Sequence, residues 1–257
     1  KPDGYLAEIG MPGYAVDDGQ FGTRQMNTGD PGKPLDGTNS IAENAQVLAE
    51  YVEAVRAGTG AERVDLVGHS LGGLISRYYV QNLMPVVQVN GLEDVPAVNQ
   101  LVMAGTPNAG TACGRIPAAL GLFAPATMQI TPEYLAQVFN PAVNDRRGVP
   151  FFALAGDAVK DKVAIRCTEL PTDRYVSVNS VLHGVSVVPD QIAGLHSDLN
   201  NKRDSFERIF ALLARSPADY PIEMVDPTDA ATGPLEQVQS TLVQGGTIQV
   251  NEPVTLT

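Results

Sequence analysis

Long apolar runs are missing from this chain of 257 residues. None approaches the roughly 20 residues that span a bilayer, so no transmembrane segment is expected. The charged n-region, apolar h-region and small-residue cleavage site of a signal peptide are also missing, although a trimmed product would lack them too. Basic charge is scarce. Lys and Arg number 17 against 29 Asp and Glu, a formal net charge of −12, and the sequence pI is near 4.6. Nucleic-acid binding needs clustered cations to neutralise phosphates, so no nucleic-acid partner is expected. Cysteine is nearly absent. Cys113 and Cys167 form no Cys-x-x-Cys pair, and no His and Cys cluster has zinc-ligand spacing. A single disulfide between them suits an acidic, low-lysine, exported chain; the other reading is two buried thiols packing as small hydrophobes. Histidine occurs three times, which shortens any search for a catalytic base. What remains, at 44% hydrophobic, is long enough to bury one domain, or one domain with an appendage.

The most informative stretch that is present is Gly68-His69-Ser70-Leu71-Gly72, a Gly-x-Ser-x-Gly pattern. Its flanks carry the weight. Arg63-Val-Asp-Leu-Val67 reads as a short buried strand, and residues 71–84 read as a helix with Leu74, Tyr78 and Val80 among its apolar members. A serine on a strand-to-helix turn presents its hydroxyl to a cleft, with a helix N-terminus behind it to favour negative charge. Gly68 and Gly72 are expected to leave room for the turn. The plainer reading is a glycine-rich connection whose serine only caps the helix.

Around that turn the chain alternates. Gly13-Tyr-Ala-Val-Asp17 looks like a strand end, and residues 19–38 form a long loop rich in Gly, Asp, Pro and Asn. Ser40-Ile-Ala-Glu43 is a capping-box signature, after which Ile41, Ala45, Leu48, Val52 and Val55 repeat at helical spacing until Gly58 and Gly60. Further strands are expected over 98–104 and 149–155, short extended pieces over 175–178 and 185–188, and a last helix over 204–215. Strands alternating with helices predict an α/β fold, a mainly parallel sheet with helices on both faces. That domain covers residues 1–217. The stretch 218–257 reads as a linker followed by the start of a β-rich module of a longer polypeptide.

A serine hydroxyl needs a base to take its proton, and the base needs a third group to orient it. His69 adjoins the serine and should point away from its hydroxyl. His183 lies between candidate strands as a loop histidine. His196 lies on a loop before the last helix and satisfies the chain order Ser, acid, His. Between Ser70 and His196, Asp157 follows a predicted strand and Asp173 opens a turn, while Asp145, Asp161 and Asp190 lie in less ordered surroundings. Spacing alone leaves the acid open.

Residues 59–79, Thr-Gly-Ala-Glu-Arg-Val-Asp-Leu-Val-Gly-His-Ser-Leu-Gly-Gly-Leu-Ile-Ser-Arg-Tyr-Tyr, closely resemble the elbow region of secreted bacterial triacylglycerol lipases and esterases, members of the α/β-hydrolase superfamily. Leu101-Val-Met-Ala-Gly-Thr-Pro-Asn-Ala-Gly-Thr111 resembles their strand and loop after the elbow helix. The resemblance runs over about residues 5–212 and implies an α/β-hydrolase fold that cleaves carboxylic esters. It places the acid on Asp173, in an Asp-x-x-Val turn, and the base on His196, in a His-x-Asp-Leu segment. Ser70, Asp173 and His196 are then the triad, with Asp157 the runner-up acid and the Leu71 N–H an oxyanion donor. No cofactor is required. A structural calcium is carried by some such lipases, with Asp157 and Asp198 the matching ligands here; the alternative is a helix-capping Asp198 and a surface Asp157.

The resemblance has gaps. No apolar strand ending in His-Gly or Pro-Gly precedes residues 13–17, so a second oxyanion donor is not visible. Asn108 stands where relatives often carry histidine. Residues 113–148 occupy the place of a cap or lid, and their apolar members either line an acyl pocket or pack onto the sheet. The expected partner is a small-molecule or lipid ester, outside the cell. The same triad would also serve an acyltransferase or a lipid-deacylating enzyme, and the fold alone would serve a silent binding module of a larger surface protein.

Overall fold

The computed structural model describes residues 5–89, 94–158, 168–185 and 190–214. The expected linker and β-rich module over 218–257 lie outside the described residues, as do Asp161, Cys167 and all of residues 185–188 except Val185.

Among the described residues a four-stranded sheet runs in the order β1 (Val64–His69), β4 (Val98–Ala104), β5 (Phe151–Asp157), β6 (Asp190–Ala193). Every pairing in it is parallel. A separate antiparallel hairpin joins β2 (Val86–Gln88) to β3 (Asp94–Pro96). Short α1 (Tyr5–Glu8) precedes α2 (Ile41–Thr59); α3 (Leu71–Asn82) follows β1.

Strand β4 explains the layering. Successive side chains of a strand point to opposite faces. Leu101 and Met103 join a core cluster with Ile41, Leu48 and Val52 of α2 and Leu74, Ile75 and Tyr79 of α3. Val102 and Ala104 join a second cluster with Phe152, Leu154, Leu199, Ile209 and Leu212 on the other face. The last two belong to the last helix among the described residues, which spans Arg203–Leu213. A strand covered on both sides reads as a continuous apolar run, which is how residues 98–104 read in the sequence.

Helix α2 begins where its capping box says it should. Ser40 Oγ accepts from the Glu43 N–H at 3.2 Å, and the Ser40 N–H donates to Glu43 Oε2 at 2.7 Å. It ends on Gly60 at φ 74°, whose N–H returns to Arg56 O at 2.9 Å.

Between β4 and β5 the expected cap region breaks into short pieces: α4 (Arg115–Ala119), α5 (Ala126–Gln129), α6 (Pro132–Tyr134), a π-helical turn Leu135–Phe139, and α7 (Asn140–Ala142). Pro117, Pro125, Pro132 and Pro141 recur too often for a longer helix to survive. Leu135 and Phe139 are buried in the core, whereas Ile116, Leu120, Met128 and Val138 are exposed. Beyond β5 follow α8 (Val178–Leu182) and, after β6, α9 (Arg203–Leu213).

Two expected strands are absent. Residues 13–17 form no strand. Instead Met11, Gly13 and Val16 line an apolar groove of about 750 Å3 beside the edge of β1, walled by Tyr51, Val52 and Phe206 among others. Residues 175–178 are likewise no strand. One isolated bridge joins Thr172 to Ser177, and Ser177 Oγ then caps α8 by accepting from the Ser180 N–H at 3.2 Å. A local capping bond has won over the β-branched residues' preference for extension.

Candidate active site

Strand β1 delivers the chain to Ser70 and α3 takes it away. Ser70 sits at φ 54° and ψ −127°, a left-handed backbone that costs a non-glycine residue of order 1–3 kcal/mol and persists only where its surroundings enforce it. The enforcement is visible: the Ser70 N–H donates to Ala104 O at 2.9 Å, and the Gly73 N–H donates to Ser70 O at 3.1 Å. Its side chain makes no capping bond to α3, which disposes of the plain helix-cap reading. Leu71, first residue of α3, carries an N–H with no intrahelical acceptor.

The glycines divide differently from expectation. A Cβ on Gly68 would meet Gly73 Cα at 2.7 Å, so Gly68 is required. Gly72 has nothing within 4 Å of its place for a Cβ, and the required partner is Gly73, where a Cβ would meet Thr106 Oγ1 at 2.0 Å. Close approach between helix and β4 loop, rather than the turn itself, sets that position.

Asp173 and His196 are brought together. Fully buried Asp173 accepts the Tyr175 and Val176 N–H groups on Oδ1 at 2.9 and 2.8 Å, and pairs through Oδ2 with His196 Nδ1 at 2.7 Å. The His196 N–H also donates to Asp173 O at 2.9 Å. Two further glycines, which the sequence reading did not single out for this, make the space. A Cβ on Gly105 (φ 62°) would meet His196 Nδ1 at 3.1 Å and Asp173 Oδ2 at 3.2 Å; one on Gly156 would meet Asp173 Cβ at 2.8 Å. A glycine at or just beyond the end of each buried strand was the available signal.

The elbow and the base lie side by side. His69 Nε2 is 2.9 Å from His196 O, and the two rings are 4.7 Å apart at their centroids. Tyr175 approaches the His196 ring at 5.5 Å. Burial lowers the His69 pKa, with the neighbouring His196 adding to the effect.

Asp157 goes elsewhere. Its Oδ2 accepts from Gln191 Nε2 at 3.1 Å and its carbonyl from the Gly194 N–H at 3.0 Å. Asp198 Oδ2 accepts the Leu195 N–H at 2.8 Å and pairs with Lys202 Nζ at 2.7 Å. Burial pushes the Asp198 carboxyl up, but Lys202 and the Leu195 N–H outweigh it and hold it below the usual range. Among the described residues no three acidic, histidine or cysteine side chains gather to hold a metal. A lysine ammonium is paired with Asp198, and a calcium held by Asp157 and Asp198 stays an expectation.

His183 caps the end of α8, its pKa lowered by burial and then by Arg77. Asn108, fully buried, is a hub that sequence reasoning placed outside the triad without a role. It accepts from Arg77 Nη1 at 3.0 Å, donates to Val181 O at 2.7 Å, and its carbonyl accepts from Asn140 Nδ2 at 2.8 Å. Burial, helped by Arg146, lowers the Arg77 pKa to about 10. No free cysteine occurs among the described residues, and Cys167 lies outside them, so its bridge to Cys113 stays an expectation. No described helix is long and apolar enough to cross a membrane.

Comparison with known proteins bears on the fold. The family model of the alpha/beta hydrolase fold matches residues 23–112. Triacylglycerol lipases of Pseudarthrobacter phenanthrenivorans and Burkholderia plantarii are each 58% identical over 43 residues, 17% of this chain. That stretch spans only 12% and 11% of their own lengths. The Bacillus licheniformis lipase BlEst2 in mature form superposes with a TM-score of 0.52 at 16% identity, covering 68% of this chain and 75% of that one. With its parallel sheet, its strained serine elbow and its likeness to the BlEst2 structure, the chain has an α/β-hydrolase fold, and one short segment of it is similar to triacylglycerol lipases.

Proposed function

We propose that this chain is a serine hydrolase that cleaves carboxylic esters through an acyl-enzyme. The observation that carries the reading is the strained Ser70 elbow set beside a buried Asp173–His196 pair at 2.7 Å. Ser70 Oγ attacks the ester carbonyl carbon while His196 Nε2 takes its proton. Asp173, bonded to Nδ1, fixes the tautomer that leaves Nε2 facing the nucleophile and stabilises the imidazolium. The Leu71 N–H receives the developing oxyanion at the start of α3. His196 returns the proton to the leaving alkoxide, and water, activated by the same imidazole, then hydrolyses the acyl-Ser70 ester. Each step is an acid–base or addition step that these groups supply without a cofactor.

The lipases among the relatives, and the exposed apolar side chains of α4 and α5, favour a lipid ester or a similar apolar ester as substrate. An acidic chain with two cysteines favours an exported protein with a Cys113–Cys167 bridge. Turnover of short-chain p-nitrophenyl esters that disappears in Ser70→Ala is the expected result. Turnover that survives the substitution would overturn the assignment. Non-reducing and reducing intact-mass measurement checks the bridge: the reduced chain should be about 2 Da heavier.

A further inference from the structure

His196 is held by Asp173 at two points, the ring at Nδ1 and the backbone N–H. Both contacts lie on the acid's side and neither says where the pair stands relative to Ser70. One other contact does. The His196 carbonyl can only accept, so His69 Nε2, 2.9 Å away, carries the proton and donates. His69 is the last residue of β1 and the direct neighbour of Ser70. Among the described residues this is the one hydrogen bond that joins the elbow to the base's loop.

Resting on the hydrolase reading above, we infer that His69 is a positioning residue, a tether on the elbow that sets the distance between nucleophile and base. Its ring lies against the His196 ring at a centroid distance of 4.7 Å and an interplanar angle of 45°, so the imidazole is steadied by packing as well as by the carbonyl bond. A neutral ring suits that place. When His196 becomes an imidazolium during turnover, a second charge beside it would oppose the proton transfer. Burial and the proximity of His196 keep His69 in its neutral form. The role is distinct from that of Asp173: one group orients the imidazole, the other fixes where it stands.

Two substitutions separate the tether from bulk packing. His69→Leu fills space but has no donor; His69→Gln keeps a side-chain N–H able to reach the carbonyl. With p-nitrophenyl esters, His69→Leu should lose about 10- to 100-fold in kcat, with KM within about twofold, because the misplacement is felt in the chemical step. Labelling of Ser70 by a fluorophosphonate should slow in proportion. His69→Gln should recover to within about threefold of the parent. Equal losses in both variants, an unchanged His69→Leu, or a loss confined to KM would overturn the tether. Imidazole 15N NMR on the full chain tests it without turnover: His69 should be the neutral Nε2–H tautomer, and amide exchange over residues 196–200 should quicken in His69→Leu. A His69 protonated on Nδ1 instead, or unaltered exchange, would refute the tether. A parent that turns over no ester while passing the NMR test would count against the hydrolase reading alone.

Discussion

Gly72 and Gly73 stand next to each other at the start of α3 and look onto opposite surroundings. A side chain on Gly73 would collide with Thr106, while one on Gly72 would project beside the groove along β1 and touch nothing within 4 Å. The same contrast divides the sheet. In β4 every residue but Asn99 is buried, whereas β1 alternates between half-buried and exposed positions until Gly68, with Val67 48% exposed. Ser70 therefore sits on a boundary. On one flank the ends of β4 and β5, the Asp173 turn and the His196 loop are packed to the point where only glycine fits. On the other flank an apolar groove runs past β1. Site geometry is dictated by the packed flank, so substitutions there should be far more costly than matched ones on the open flank.

The sharpest break of that contrast is chemical. Asp173→Asn keeps the size and the Oδ1 acceptor for Tyr175 and Val176 but favours the wrong imidazole tautomer. It should lower kcat about 10^4-fold with near-parental binding of substrate, measured as separate kcat and KM. Next comes the glycine pair. Gly73→Ala should destabilise by about 1–3 kcal/mol through overpacking against Thr106. Gly72→Ala, at an open helical position, should be neutral or stabilise by up to about 1 kcal/mol. Urea midpoints at unchanged m-value check both. Val102→Ala, wholly buried in β4, should cost about 2 kcal/mol, and Val67→Ala on the β1 edge about 0.5 kcal/mol or less. Equal costs would mean that the open flank is covered in solution.

The smallest effect is on pH. His69 and His183 have pKa values lowered by burial, so the unfolded chain binds more protons than the native one just below the unfolded value near 6.5. Stability from both groups is complete above that value and declines as pH falls toward their folded pKa values. The thermal midpoint should drop between pH 7 and pH 5, and His69→Gln should flatten part of the fall.

Legibility in the sequence followed the same divide. Helix α2 was readable because its cap, its spacing and its C-terminal glycine are all local. Strand β4 was readable because burial on both faces makes its residues uniformly apolar. The elbow was readable as a turn, but which glycine it needed was not, since Gly73 answers to Thr106 across 33 positions of chain. The Asp173–His196 pair, 23 residues apart, came from resemblance; residue spacing could not choose between Asp157, which follows a strand, and Asp173, which opens a turn, because either place can present a carboxylate. The His69 bond spans 127 positions and leaves no local trace at all. Residues 13–17 misled because a short apolar stretch looks the same whether it pairs in a sheet or lines a groove.

The central claim is that Ser70 is the nucleophile, activated by His196 on the packed flank. Reaction of the full chain with a fluorophosphonate, followed by peptide mass spectrometry, tests it directly. The account predicts one adduct per chain on Ser70, no adduct in Ser70→Ala, and labelling slowed by roughly 10^3-fold or more in His196→Ala. A folded parent chain that takes up no label at Ser70, or a His196→Ala protein that labels at the parental rate, would contradict it.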